Sequence, residues 1–498
     1  MTDESPADVC LIIEGTYPYA VGGVAAWTHE LIKKQGHLTF HILSILPRGD
    51  HPYMRYDLPR NVRDLTTLRL QEIPGHSDIP LSQATRLFDR LRAPLTTLTT
   101  GEAGLRDLRA IIDILAPYRH RIGESIMLNS EATWELITSM YETSFAESSM
   151  LDYFWSWRAI VGNLYSLLIT DLPAAKCYHT LSTGYAGVLA TRAKLETERP
   201  VILTEHGIYT NERRIEIGLA DWLEEDDSQT LTLHQTRGSL RDLWLNTFAN
   251  YSRLCYEAAT HIVTLYAGNQ QAQITDGAHP AKMRIIPNGI DVEHYRRLPR
   301  KPHPRPTIAL IGRVVPIKDV KGFLRACAAV AQRIPTLRAF VIGPTDEDSV
   351  YAEECRAMAS YYGLQDTVTF TGRTMVEDYL PEIDILVSTS ISEAQPLVIL
   401  EAGACGIPAV VSDVGACREM VLGRKDESPL LGPGGIVAPL SNLPAIIEAI
   451  CALFSDRALY ERCGHSMQSR VERYYHREDQ GMAYKLLYES CLKMPQGG

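Results

Sequence analysis

The chain has no run of about eighteen uncharged apolar residues, the length a membrane-spanning helix needs, so no span is expected. Its nearest stretch, Leu151 to Ile169, is broken by Asp152, Arg158 and Asn163 and reads as a buried helix. The ten cysteines include no C-x-x-C pair. They are scattered from Cys10 to Cys491, several in apolar contexts. That fits reduced core residues in a reducing compartment and argues against a disulfide framework or a zinc site. An excess of positive charge is also missing. With 60 acidic residues against 49 Lys and Arg, the net charge of −11 speaks against nucleic acid as a main partner, while leaving room for a local basic pocket. The opening MTDESPADVC is acidic and polar, unlike a secretory leader, and a cytoplasmic location is expected.

What is present is ordinary globular composition, 45% hydrophobic and 22% charged, in a chain long enough for about two to four domains. Continuous apolar runs such as Val9 to Ile13 and Phe40 to Leu46 read as parallel strands covered on both faces. The first is followed by EGTYPYAVGGVAAW, in which Gly22 and Gly23 precede an amphipathic helix. Such a turn lets backbone N–H groups approach a phosphate or sugar, although a GG pair more often serves only a tight turn. It is not G-x-G-x-x-G. Residues from Pro47 to Asp171 read as a largely helical insertion, and their aromatic stripe (Trp134, Phe154, Trp155, Trp157) reads as core, with an acceptor-binding surface as the alternative. Strand signals resume at Lys176 to His179, Val201 to Thr204 and His261 to Leu265. Arg296 to Pro306, rich in Pro and basic residues, reads as an interdomain linker. A second strand–helix series starts at Thr307. The expected class is α/β, with two doubly wound domains: 1–295 carrying the insertion at about 47–171, 296–475, and a final helical segment 476–498.

The most informative stretch is Val387 to Val411, VSTSISEAQPLVILEAGACGIPAVV. An apolar strand ends, a polar turn carries Glu393, Pro396 opens a helix and Gly406 closes it. Glu401 then falls about one turn inside the helix. The N–H groups around Gln395 to Ile399, among them those of Leu397 and Val398, have no intrahelical partners and favour an anion. Glu393 and Glu401 can accept from sugar and ribose hydroxyls, or be a dipole-favoured charge and a solvated one. Arg313 and Lys318, in GRVVPIKDVKGF, occupy a strand-end loop from which cations can neutralise a diphosphate. The bland reading is two solvated charges, and Lys321 competes for the Lys role. His206 stands at a strand end, where it can hydrogen-bond a reacting group or be structural. Glu205, Arg213 and Arg214 are candidate acceptor contacts. Asp346-Glu347-Asp348 is formally D-x-D, a metal-binding pattern, but it and Glu224 to Asp227 read as solvated charge runs.

E-x7-E followed by G-x-P, together with G-R-x4-K, resembles the signature of family 4 retaining glycosyltransferases. That resemblance implies the GT-B fold: two Rossmann-like domains facing a cleft, with the last helix crossing back to the first. It implies that Glu393 contacts the donor sugar, Glu401 the ribose, Arg313 and Lys318 the diphosphate, and that His206 lies near the reacting centre. It also puts the nucleobase near Gly372 and Arg373, with Gly22 and Gly23 approaching the donor. The stretches LIIEGTYPYAVGGVAAWTHELI, TEHGIYTNERRIEI, GRVVPIKDVKGF and TSISEAQPLVILEAGACGIP together resemble the cytosolic glycosyltransferases of bacterial Pel exopolysaccharide systems. The implications are a UDP-sugar donor, a growing polysaccharide acceptor, an inner-membrane synthase complex as partner, and recruitment to that membrane through partners. With Arg313 and Lys318 available, no metal or other cofactor is expected. Two rivals are a UDP-sugar epimerase of the same fold and a non-catalytic scaffold of a synthase complex.

Overall fold

The computed structural model describes residues 5–73, 77–218, 239–301 and 303–494. The chain divides into two compact units, Met1–Thr264 with Gln270–Arg284 and Tyr484–Gly498, and Leu265–Asn269 with Ile285–Ala483.

The first unit begins with β1 (Ala7–Glu14), α1 (Gly23–Lys34), β2 (Phe40–Leu46) and β3 (Val62–Arg69). Next come the helices α2 (Leu81–Thr100), α3 (Leu105–Leu115), α4 (Glu124–Met127), α5 (Glu131–Ser144) and α6 (Met150–Ile169). The alternation then continues through β4 (Ala175–Thr180), α7 (Tyr185–Thr197), β5 (Val201–Glu205), α8 (Tyr209–Gly218), α9 (Leu240–Ala258), β6 (His261–Thr264), α10 (Ala267–Thr275) and β7 (Met283–Ile285), the start of α10 and the last residue of β7 being counted with the second unit. The sheet order is β3-β2-β1-β4-β5-β6-β7, with parallel pairing from β3 through β6. Its central strands are apolar on both faces because helices cover both sides.

Within 47–171, read as a largely helical insertion, β3 is a strand of the sheet that the sequence reading did not mark. It is an edge strand whose sequence, VRDLTTLR, is mostly exposed or half-buried, so it lacks the apolar run that marks an inner strand. The helices α2 to α6 account for most of the remainder, and two of them begin with serine caps: Ser130 accepts from the Thr133 N–H at 3.2 Å and Ser149 from that of Asp152 at 3.4 Å. The aromatic stripe divides. Trp157 is fully buried, whereas Trp134 and Trp155 are exposed.

The second unit contains α11 (Val292–Arg296), β8 (Thr307–Ile311), α12 (Val320–Arg333), β9 (Arg338–Ile342), α13 (Ser349–Tyr361), β10 (Val368–Gly372) and β11 (Ile385–Ser388). It continues with α14 (Leu397–Ala404), β12 (Ala409–Ser412), α15 (Cys417–Leu422), β13 (Gly435–Ala438), α16 (Leu443–Ser455) and α17 (Arg457–Tyr474). Its parallel sheet runs β10-β9-β8-β11-β12-β13. The Pro-rich segment expected to link the domains belongs wholly to this unit. Arg300 donates to the Ile383 carbonyl at 2.5 Å and Arg305 to the Leu337 carbonyl at 2.8 Å, which pins the segment down. Beneath α17, Arg470 and Glu427 form a fully buried ion pair at 2.6 Å.

The last helix, α18 (Arg477–Leu492), is separated from α17 by two residues. Tyr484 and Tyr488 fall in the first unit. There the Tyr488 hydroxyl lies 2.6 Å from His179 Nδ1, and Thr204 lies 2.9 Å from His179 Nε2 and 3.0 Å from the Tyr484 hydroxyl. Burial lowers the pKa of His179 to about 3, so its ring is neutral at ordinary pH. Among the described residues no helix is long and apolar enough to cross a membrane.

Candidate functional site

In a doubly wound sheet, ligands bind beyond the strand C-termini where the strand order reverses. In the second unit that reversal lies between β8 and β11. The loop after β8 carries Arg313 and Lys318, and the loop after β11 carries Glu393. Residues 75 positions apart thus meet: Lys318 Nζ donates to Glu393 Oε1 at 2.5 Å, with the two side chains only 19% and 11% exposed. Ser390 donates to the same oxygen at 2.6 Å.

The backbone builds this meeting. Pro316–Lys318 forms a single 3-10 turn, ended by Asp319 at φ +44°, whose carboxylate caps α12 at the Gly322 N–H, 3.0 Å away. The Ile391 N–H donates to the Ile317 carbonyl at 2.8 Å, and the Thr389 hydroxyl to the Asp319 carbonyl at 2.9 Å, lacing the two loops together. Gly415 holds the far side. It sits at φ +53° with its Cα so close to the Glu393 carbonyl that a Cβ would lie 2.0 Å from that oxygen.

Pro396 precedes α14, whose first-turn N–H groups at Leu397 and Val398 are left without intrahelical acceptors by helix geometry. Glu401 lies one turn in. Burial raises its pKa to about 7; a hydrogen bond from the Tyr295 hydroxyl opposes this and nearby Glu377 adds to it. Tyr295 had no signal in the sequence, because it comes from α11, over a hundred residues away. Gln395 was expected to offer its backbone N–H. Its side chain is spent on the Asn288 backbone, accepting from the N–H at 2.8 Å and donating to the carbonyl at 3.3 Å, so only its main chain is left for a ligand.

The remaining cations are engaged by acidic side chains. Arg313 pairs with Glu347, and Arg373 with Asp346 at 3.5 Å, all four groups largely exposed. Asp348 caps α13 at the Tyr351 N–H, 2.9 Å away. The D-x-D run is therefore not simply solvated: Glu347 holds the candidate diphosphate ligand Arg313, Asp346 holds Arg373, the residue expected beside the base, and Asp348 caps the start of a helix. The loops that bear them are tied together. Gly312 donates to the Ile342 carbonyl at 2.8 Å and Gly343 to that of Gly372 at 3.2 Å. Lys321 reaches Glu354 at 2.7 Å instead, which leaves the Glu393 contact to Lys318. Gly372, at φ +68°, has open space where a side chain would stand. Among the described residues no group of three or more His, Cys, Asp or Glu could hold a metal ion. Glu224 to Asp227 lie outside the described residues.

In the first unit the reversal lies between β1 and β4. Gly22 and Gly23 lead into α1 and face open space. His206 follows β5, its ring edge-on to Trp27 at 4.6 Å, and burial lowers its pKa to about 4. It therefore offers a neutral imidazole, able to hydrogen-bond but not to carry charge near neutral pH. Glu205 is interior rather than an acceptor contact. It accepts from the Tyr256 hydroxyl at 2.7 Å, the Gln273 amide at 2.8 Å and the Tyr209 N–H at 3.1 Å. Arg213 pairs with Glu216 at 2.7 Å, and Arg214 lies 3.6 Å from Asp276. A carboxylate the sequence reading passed over, Glu14, ends β1 within 3.4 Å of Ser182 Oγ, the Tyr209 hydroxyl and the Ala186 N–H, its pKa raised chiefly by burial. An acid closing an apolar strand before a Gly was the available signal.

Residues 305–456 match the model for Glycosyl transferases group 1. The chain is 28% identical over 252 residues to a D-inositol 3-phosphate glycosyltransferase of Kribbella flavida, covering 47% of this chain and 53% of that protein. It is 26% identical over 220 residues to the lipopolysaccharide core biosynthesis mannosyltransferase LpsB of Rhizobium meliloti, covering 42% and 61%. The matches thus span about half the length of these curated relatives. Among solved structures, sucrose-phosphate synthase of Thermosynechococcus elongatus superposes with a TM-score of 0.57 at 16% identity, covering 97% and 98% of the two chains. Anabaena HepE in complex with UDP gives 0.57 at 14%, covering 97% and 100%. At these identities the likeness establishes the fold, which is GT-B with two Rossmann-like α/β domains. Residues 7–281, more than half of the chain, match the model described as a domain of unknown function, DUF3492, and the chain belongs to that family, with a group 1 glycosyltransferase domain following.

Proposed function

We propose that this protein is a retaining, metal-independent glycosyltransferase that uses a UDP-sugar to extend an exopolysaccharide of the Pel type. The observation that carries the reading is the Lys318–Glu393 pair at the β8/β11 reversal, beside the open first turn of α14 and one turn from Glu401. On this reading, the diphosphate lies on Lys318, Arg313 and the N–H groups at Leu397 and Val398. Glu401 accepts from the ribose hydroxyls, Gly372 and Arg373 flank the base, and Glu393 orients the sugar. His206, Gly22 and Gly23 belong to the sugar-transfer end of the first unit. Positive charge and oriented N–H groups aimed at a departing diphosphate stabilise the negative charge that develops there. The acceptor hydroxyl attacks on the face the leaving group vacates, and the leaving phosphate oxygen takes its proton. The growing polysaccharide is the acceptor, and inner-membrane synthase proteins recruit the enzyme from the cytoplasm.

Calorimetric titration with UDP and with ADP, each with and without EDTA, tests the donor site. UDP-selective binding that survives EDTA and falls at least about tenfold in Lys318→Ala supports the reading. Binding that is unselective, lost in EDTA, or indifferent to the substitution overturns it.

A further inference from the structure

Helices α5 and α6 turn one face inward to the core, and among the described residues nothing covers the other. Trp134, Leu151 and Trp155 are 50%, 64% and 59% exposed. Trp134 meets half-buried Phe154 at 6.0 Å between ring centroids, and Phe154 meets Trp155 at 5.1 Å, so the rings form one patch across both helices. Leu151 and Trp155, four residues apart, share a helix face. Exposed large apolar groups of this kind mark interaction sites on soluble proteins.

The charge carried by α5, α6 and the loop between them is one-sided. Between 131 and 158 the sequence places Glu131, Glu135, Glu142, Glu147 and Asp152, all exposed, against a single Arg158. Arg158 turns inward, donating to the Leu128 carbonyl at 2.7 Å and lying 3.5 Å from Glu124. We infer that this patch is a docking surface for a basic segment of another protein that presents apolar anchors flanked by Lys or Arg. Apolar side chains insert among the tryptophans while the cations meet the acidic rim, the arrangement of a buried hot spot inside a charged margin.

Other occupants fit less well. Successive rings are inclined by 55° and 74°, so they offer no continuous flat platform on which sugar rings could stack. An anionic membrane surface would face the five exposed carboxylates that these two helices and their connection carry. A second copy of this chain would bring two acidic rims together.

The test uses the full-length protein and a short helix-forming peptide of Leu, Phe and Lys, with the Glu-for-Lys version as control. The Lys peptide is expected to shift tryptophan emission to the blue and to bind more weakly as salt rises. Trp134→Ala with Trp155→Ala is expected to cost at least about tenfold in affinity. The set Glu131→Gln, Glu135→Gln and Asp152→Asn, which leaves the aromatics in place, is expected to weaken binding and flatten its salt dependence. Thermal melts verify that both variants are folded, and if the tryptophan pair is not, the charge set decides alone. Equal affinity for the Lys and Glu peptides, or no loss in the folded variants, overturns the inference. So does tighter binding to phosphatidylglycerol vesicles or to a glucosamine oligomer than to the Lys peptide.

Discussion

If Glu401 accepts from ribose, its raised pKa must show in nucleotide affinity. With a pKa of about 7, the carboxyl is mostly ionised near pH 8.5 and almost wholly neutral near pH 5.5. A hydrogen bond to a charged acceptor contributes about 1 kcal/mol more than one to a neutral acceptor, which is about fivefold in affinity. Loss of ionisation over about 1.5 pH units bounds the effect at roughly thirtyfold. UDP affinity of the wild type should therefore fall about fivefold between those pH values beyond any fall in Glu401→Gln. The difference between the two proteins removes titration of the UDP phosphate itself. Calorimetry at several pH values measures it. Parallel curves for the two proteins would refute the ribose role. Stability gives an independent reading of the same group. A carboxyl whose folded pKa is raised contributes stability that is fully present below its unfolded pKa, near 4.5, and lost as pH rises through about 7. Urea melts should show the wild type losing up to about 3 kcal/mol across that window, and Glu401→Gln losing less.

Three further outcomes are expected. Asp346→Asn with Glu347→Gln frees Arg373 and Arg313, and because both pairs are exposed the gain in UDP affinity should be only a few-fold and should vanish in high salt; titration at two salt concentrations checks both points. Gly415→Ala should cost about 1–3 kcal/mol in chemical denaturation and also weaken UDP binding, since its Cβ would displace the Glu393 carbonyl. Arg470→Met leaves Glu427 charged and unpaired in the interior, and should destabilise by about 3–5 kcal/mol in urea while UDP affinity of the folded protein stays unchanged.

The parallel sheets were legible because strands covered on both faces read as unbroken apolar runs, as in Val9 to Ile13 and Ile385 to Ser388. The same rule hides β3, an edge strand with charges along it. The basic residues of 296–306 read as linker because composition does not reveal that Arg300 and Arg305 are tied to backbone carbonyls of the second unit. The chemistry of α14 could be read from Pro396, Glu401 and Gly406 in one local stretch. The meeting of Lys318 with Glu393 could not, since it depends on β8 and β11 being neighbours. Arg313 and Arg373 were legible as cations, but not as cations held by Asp346 and Glu347, because an acidic run in a polar loop looks solvated until the β9 and β10 loops are laid side by side.

The most direct test of the central claim is turnover. Purified wild type and Glu393→Gln are incubated with a set of UDP-hexoses and UDP-N-acetylhexosamines and the polysaccharide acceptor, while NMR follows UDP release and the anomeric signal of the product. The account expects one donor to be consumed with retention of its anomeric configuration, and the Glu393→Gln rate to be lower by at least about a hundredfold, the usual cost of losing a group that acts on the transferred sugar at the transition state. UDP release from none of the donors, inversion at the anomeric carbon, or equal rates in the two proteins would contradict it.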